Sequence, residues 1–228
     1  MIDSRLALMQ LSDSFFPSGS FTLSHGLESL VQTNQICTAA DVETFLYLLL
    51  RHKIGCSDLV ALIHAYRASA ANEPDEIRRA DAYLYAQTLI QVTRDAQGRS
   101  GQALLMVARS TWRDQQLESL QNDVDTKRTP GLHPIVFAVV GRAVHLSESD
   151  TSLAFLHSFI TGVVGAAIRL GVLGHLGAQT LLAKMAVEIE AIATQALSLS
   201  LGEMWSCTPA IDVAQMLHQR SHSKQFAT

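Results

Sequence analysis

The sequence predicts an all-α protein, a single-domain bundle of about eight to ten helices. Three observations carry that prediction. Ala and Leu total 59 residues against 27 Val and Ile, a balance that favours helix over strand. Gly and Pro supply only 18 of 228 residues, fewer than the roughly 12% of average proteins, so turns are scarce. Apolar residues recur at three- and four-residue spacing along most of the chain, and no alternating run is bounded by hairpin turns. A chain of 228 residues suits one domain with a core that needs no disulfide or metal staple. The expected division is a helical bundle domain over 1–208 and a short helix with a partner-binding tail over 209–228.

Each element follows from local chemistry. Ser4 to Leu11 forms a short amphipathic helix with Leu8 and Leu11 on one face. Pro17 and Gly19 break the period over 12–20, and Ser20 can cap the next helix, whose face is Leu23, Leu27, Leu30 and Val31. Thr38 with Asp41 reads as a capping signal, followed by the face Val42, Phe45, Leu46, Leu49 and Leu50. Gly55 marks a kink or break before Leu59, Leu62, Ile63 and Tyr66. Pro74 suits a first helical turn, and Ile77, Ala80, Leu84, Leu89 and Val92 carry that helix on to Arg94. Gly98 and Gly101 bracket a junction. Gln115 to Leu132 is the most polar stretch and is expected to be a mobile loop or a poorly formed helix. His133-Pro134 opens a helix with Ile135, Val136, Val139 and Val140, interrupted at 147–150. Two long helices follow, roughly 151–170 and 178–201. Pro209 starts a last short helix through Gln219 and a polar tail.

Composition excludes several functions. The net charge of −4 and pI near 6.1 argue against a general nucleic-acid binder, which carries a basic excess. A hydrophobic fraction of 48% excludes a mainly disordered chain. Cys37, Cys56 and Cys207 cannot all pair within one chain and form no Cys-x-x-Cys, which reads as free thiols in a reducing, cytoplasmic compartment. The early Asp3 and Arg5, with no long apolar run behind them, do not read as a signal peptide. Thr151 to Ile168 carries no charge, but its Ser, Thr and His residues suit a buried core helix better than a span, which needs about 20 predominantly apolar residues.

Catalytic motifs are missing. Gly98-Arg99-Ser100-Gly101 has neither the spacing nor the lysine of a phosphate-binding loop, and no His-Glu-x-x-His or Gly-x-Ser-x-Gly occurs. His52 with Cys56, and His218 with His222, stand at i, i+4 spacing that places two ligand types on one helix face, yet no third ligand is evident for either. Ser24, His25, His52 and His133 leave one enzymatic alternative open, a helical metal-dependent hydrolase, which requires these groups to converge in a pocket. Gly162, Gly165, Gly171, Gly174 and Gly177 form a cluster that serves either tight packing or a surface shaped for a partner, with a break expected between Gly171 and Gly177.

Two stretches carry a family resemblance. Leu8-Met9-Gln10-Leu11, then Pro17-Ser18-Gly19-Ser20-Phe21 and Ser24-His25-Gly26-Leu27-Glu28, resemble the N-terminal signature of the UreF family of urease accessory proteins. Pro209-Ala210-Ile211-Asp212-Val213-Ala214-Gln215-Met216-Leu217-His218 with Ser223-Lys224-Gln225-Phe226 resembles the family's tail. Asp58, Thr93-Arg94, Gly101, His133-Pro134 and Ala167-Ile168-Arg169-Leu170-Gly171 fall in matching order between them. Val172, His175, Leu217 and His222 depart from the usual residues, and the chain ends without the usual final basic residue.

The resemblance implies an all-helical, non-catalytic and homodimeric assembly factor without a cofactor or resident metal of its own. It implies binding to a UreD/UreH-type accessory protein, recruitment and regulation of the GTPase UreG, and docking on apo-urease for GTP-dependent nickel insertion. Carried onto this sequence, it places Glu28 and Arg169 on a GTPase-facing surface. It places Ile211, Met216, His218 and Phe226 in the tail's grip on the UreD-type partner.

Overall fold

A computed structural model describes residues 3–13, 16–17, 19–221 and 223–227. The described residues contain helices and no strand. In order these are α1 (Ser4–Ser12), α2 (Leu27–Gln32), α3 (Ala39–Leu49), α4 (Leu59–Ala71), α5 (Pro74–Gln87), α6 (Gln91–Thr111), α7 (Gln115–Asp125), α8 (His133–Ala143), α9 (Glu148–Arg169), α10 (His175–Ala196) and α11 (Pro209–Arg220), with short 3₁₀ turns at Ser20–Thr22 and Leu201–Glu203. A π-helical segment, Leu50–Asp58, joins α3 to α4 into one rod, so the described residues form ten helical rods.

The core sits around α4 and α8. Leu59, Val60, Leu62 and Ile63 of α4 and Ile135, Val136, Val139 and Val140 of α8 are fully buried. A helix apolar on nearly all sides belongs inside a fold, and α4 packs against α5, α8 and α9. α9 is long and apolar enough by length and composition to cross a membrane, but over half of that window is buried against the rest of the fold. It packs on α10, α1, α4 and α8, as the reading of 151–168 as a core helix requires.

One start is capped as the sequence foretells, and another is capped where an interruption was expected. Thr38 and Asp41 form a full capping box at α3. Ser147 caps α9 through the Asp150 amide, so the interruption at 147–150 is the α9 start itself. The chain breaks between α9 and α10, with Gly171 in the left-handed region at φ +77°.

Three expectations are corrected. Gln115–Asp125 is a regular helix, not a mobile loop: Asp114 caps it by accepting from the Gln116 and Leu117 amides, and Leu117 and Leu120 bury one face. Asp114 also takes a two-pronged ion pair from Arg142 of α8, both contacts at 2.7 Å, which ties α7 into the bundle. The helix expected to run from 75 to 94 is split at Thr88–Ile90, where Arg94 donates to the Thr88 carbonyl. Gly98 and Gly101 lie inside the continuous α6 and not at a junction. Gly101 is there for space: a Cβ on it would meet the Gly131 carbonyl oxygen at 1.9 Å.

The π segment also departs from a simple kink at Gly55. The Leu59 amide donates to the Ile54 carbonyl, an i to i−5 bond. The His52 and Cys56 carbonyls accept from the Cys207 and Trp205 amides, at 2.8 and 3.2 Å. The strand-like link leading into α11 is thereby stitched to the rod. Gly55 lets α10 approach, since a Cβ there would lie 2.5 Å from Ile192 Cγ2.

Candidate functional site

The two stretches that carry the resemblance meet in space. The chain turns into α2 through His25 (φ +53°) and Gly26 (φ +90°), two consecutive left-handed residues. Glycine at 26 serves conformation and contact together, because a Cβ there would lie 3.1 Å from Gln215 Cγ and 3.2 Å from the Ile211 carbonyl oxygen of α11. The turn sets Glu28 in the first turn of α2, facing α11.

Glu28 is 2% exposed. Its Oε2 lies 2.7 Å from His218 Nε2 and accepts the Phe226 amide at 3.1 Å. Its Oε1 accepts the Gln225 amide at 2.7 Å and the Gln32 side-chain amide at 3.3 Å. An ionised carboxylate is acceptor-only, so the His218 tautomer that fits carries its proton on Nε2. His218 is 1% exposed, and Ile211 and Phe226 are buried as well. Arg169, half-buried at the end of α9, lies between two rings, 3.8 Å from the Phe21 centroid and 4.3 Å from that of Phe226. It donates to the Phe21 carbonyl at 2.7 Å, and burial lowers its pKa from the ordinary arginine value. The Ala227 amide donates to the Thr22 carbonyl at 2.8 Å.

Two further bonds hold α11. Lys53 of the π segment donates to Asp212 at 3.2 Å. Thr93 of α6 donates to Gln215 at 2.6 Å, both residues being buried. The outer face of α11 is different: Val213, Met216 and Leu217 are exposed, Met216 at 49%. Val213 and Leu217 border a groove of about 500 Å³ between α2 and α11, lined also by Leu30, Thr33 and Ala210.

The six expected partner residues therefore do not form one surface. Met216 faces solvent, whereas Ile211, His218 and Phe226 point into the body. Glu28 is buried, and three of its four donors come from the tail. The polar tail is packed on the body. Its polar groups find partners on α2, the π segment and α6.

A second cluster lies deeper. His25, His133, Lys53, Asp58, Gln97 and Ser100 line a cavity of about 70 Å³. Burial, with the Lys53 charge and His133 adding to it, pushes His25 down to about 3, and burial pushes His133 down to about 4, so both imidazoles are neutral at neutral pH. Burial raises Asp58 to about 6, against the pull of Lys53 and of the Gln97 amide that donates to it at 2.6 Å. His25 and His133 thus share a pocket, but His52 does not join them: its ring lies 5.7 Å from that of Trp205. Among the described residues no group of three or more His, Cys, Asp or Glu side chains could hold a metal ion. The His218 and His222 pair cannot be followed, because His222 lies outside the described residues, as does Ser18 of the N-terminal motif.

The open glycines of α9 and of the turn after it are also located. A Cβ on Gly162, Gly165, Gly171 or Gly174 would meet nothing within 4 Å, so tight packing within the chain does not account for them.

Fold and site together define a class: an all-helical protein whose buried charges bind its own elements to one another, with an apolar strip left open on its last helix. The comparisons with known proteins make the class specific. The UreF family model matches residues 36–186. A urease accessory protein UreF of Trichodesmium erythraeum is 51% identical over 226 residues, covering 99% of this chain and 97% of the relative. Those of Geobacillus kaustophilus and Bradyrhizobium diazoefficiens are 31% and 30% identical, covering 99% and 96% of this chain and 99% and 89% of the relatives. The chain belongs to the UreF family of urease accessory proteins, which are non-catalytic. That membership sets aside the hydrolase built on His25, His133 and His52.

Proposed function

We propose that this chain is a cytoplasmic, homodimeric assembly factor in urease maturation. With a UreD/UreH-type accessory protein it recruits and regulates the GTPase UreG, for GTP-dependent insertion of nickel into apo-urease. Nickel is the cargo of that assembly. The observation that carries the reading is the two-faced α11, with one side sealed by Ile211, Ala214 and His218 and the other exposing Val213, Met216 and Leu217, of which Val213 and Leu217 line a groove. Apolar residues exposed together on an ordered helix suit a hydrophobic interface core ringed by polar groups. In this reading Met216 touches the UreD-type partner, while Ile211, His218 and Phe226 serve the grip from beneath. Glu28 and Arg169 adjoin the GTPase-facing side.

The test is co-expression with a UreD/UreH-type protein and UreG, followed by size-exclusion chromatography with light scattering. The full chain is expected to form a stable complex. Met216→Glu with Leu217→Glu is expected to weaken it at least tenfold without changing the helical circular dichroism. A double variant that binds as the parent does would remove α11 as the docking face.

A further inference from the structure

We infer that the cavity bordered by the π segment, α6, α8 and α9 is a binding site for a small cation that donates hydrogen bonds, of the size of ammonium. The site lies away from the outer face of α11 and does not depend on the docking reading above.

Four separate stretches of the sequence meet at this cavity. They bring His25 before α2, Lys53 and Asp58 of the π segment, Gln97 of α6 and His133 at the start of α8. His25, Asp58 and His133 belong to the matched stretches of the sequence, yet the docking reading gives them no part. The π segment is what brings Lys53 and Asp58 together. Residues five apart on an α-helix point about 140° away from each other, whereas an i to i−5 pattern sets them one above the other.

Acceptors outnumber donors at the polar end. Gln97 Nε2 donates to Asp58 Oδ1 at 2.6 Å, which leaves Gln97 Oε1 buried and without a partner. Turning that amide over would set two oxygens against each other, so Asp58 fixes its orientation. His25 and His133 are neutral, and each neutral imidazole keeps one ring nitrogen as an acceptor. Among the described residues Lys53 is the one cation bordering the cavity, and Asp212 engages it at 3.2 Å.

The cluster is also one positive charge short. Lys53 stands against two carboxylates, Asp58 and Asp212, and Asp58 is 3% exposed. An ionised carboxylate in the interior is costly unless it is paired. The cavity of about 70 Å³ has room for a water-sized ion with water beside it. Ammonium has four donors, no acceptor and the missing charge. Phe137, Phe155 and Phe159 wall the rest of the cavity, and aromatic faces attract cations. Potassium is similar in size but donates nothing to the ring nitrogens.

Proton and cation compete for the same carboxylate. Burial holds Asp58 at about 6, so ammonium affinity is expected to fall about tenfold from pH 7 to pH 5 as Asp58 takes up its proton. The groups around it do not interfere. His25 and His133 stay neutral over that window, Cys56 on the same segment is pushed up to about 11 by burial, and Lys53 is paired with Asp212. α6 and α9 bring no titratable side chain to the described lining.

The experiment uses the full chain and NMR of the His25 and His133 rings and the Gln97 side-chain amide. Ammonium chloride is the probe, with choline chloride and potassium chloride at equal ionic strength. Saturable shifts of these signals are expected with ammonium and not with the other two salts. Asp58→Asn is expected to weaken ammonium binding at least about tenfold, because a charge-assisted hydrogen bond is lost. Gln97→Met keeps the volume and carries the same test through the His133 signal if Asp58→Asn fails to fold. No saturable shift with ammonium would overturn the inference, since the cavity would then hold water alone. So would an equal response to potassium, an affinity unchanged between pH 7 and pH 5, or a folded Asp58→Asn or Gln97→Met variant that binds as the parent does.

Discussion

Between α4 and α8 the chain buries Leu59, Leu62, Ile63, Ile135, Val136 and Val139 completely. Beneath α11 the contacts that reach across are Lys53 to Asp212, Thr93 to Gln215 and Glu28 to His218. The first interface has little directional preference, and its strength scales with the apolar area removed from water. The second accepts one register of α11, since a shift by one residue would leave buried donors and acceptors without partners. A helix held this way is specified in position more than it is held in strength. Such a seam suits an element that has to present a face to another protein.

The contrast can be tested in order of expected effect. Leu62→Ala in α4 is expected to cost about 2–5 kcal/mol of global stability, read from the urea midpoint, and to speed exchange everywhere at once. If its effect stayed within α4, the core would not be the single cooperative unit the packing describes. Asp212→Asn should act locally, costing the α11 seam about 1–2 kcal/mol, which is a 5- to 30-fold gain in exchange rate within 209–220. An unchanged rate there would show that Lys53 holds nothing.

The last contrast is in pH dependence. His25 and His133 sit below 6.5, at about 3 and about 4, so the unfolded chain binds the extra protons and their contribution is lost as pH falls from 6.5 toward those values. Asp58 and Asp81 sit above 3.8, at about 6, Asp81 raised by its burial although it accepts from Thr129, Gly131 and Leu132. For these two the folded chain holds the extra proton, and stability is gained as pH falls from 6 toward 3.8. Between pH 6 and 4 the two pairs oppose each other. His25→Asn, which tolerates the left-handed backbone at that position, removes one side of the balance. Relative to the parent, its stability should rise on acidification over that window by about 1.4 kcal/mol per pH unit. An identical pH slope in parent and variant would mean that His25 is not held neutral.

Much of the body was legible in the sequence because periodicity and capping are local. Val42, Phe45, Leu46 and Leu49 announce their face, and Thr38 with Asp41 announces its start. α7 is legible only as one of two alternatives, a loop or a poorly formed helix, because Leu117 and Leu120 are set among polar neighbours that dominate composition. Its cap, Asp114, gains weight only beside Arg142. The break at 88–90 carries no Gly or Pro. Gly101 reads as a junction until Gly131 is placed against it. At the site, the motifs marked the right residues but not their direction. Whether a glutamate faces water or is buried depends here on donors about 190 positions away, and no local pattern records that.

The π segment bears on the phase of the rod. Each residue advances an α-helix by about 100°, and an i to i−5 bond admits one residue more per turn than an α-helix would. The Leu50–Asp58 stretch therefore sets the angular offset between the buried stripe of α3 and that of α4. Removing a single residue there would take out that extra position and let the rod heal into an ordinary α-helix, with the core stripe of α4 kept near its present phase. The His52 and Cys56 carbonyls would then turn inward to their own helix and give up the Cys207 and Trp205 amides. The cost of such a deletion falls on the link into α11 and not on the core.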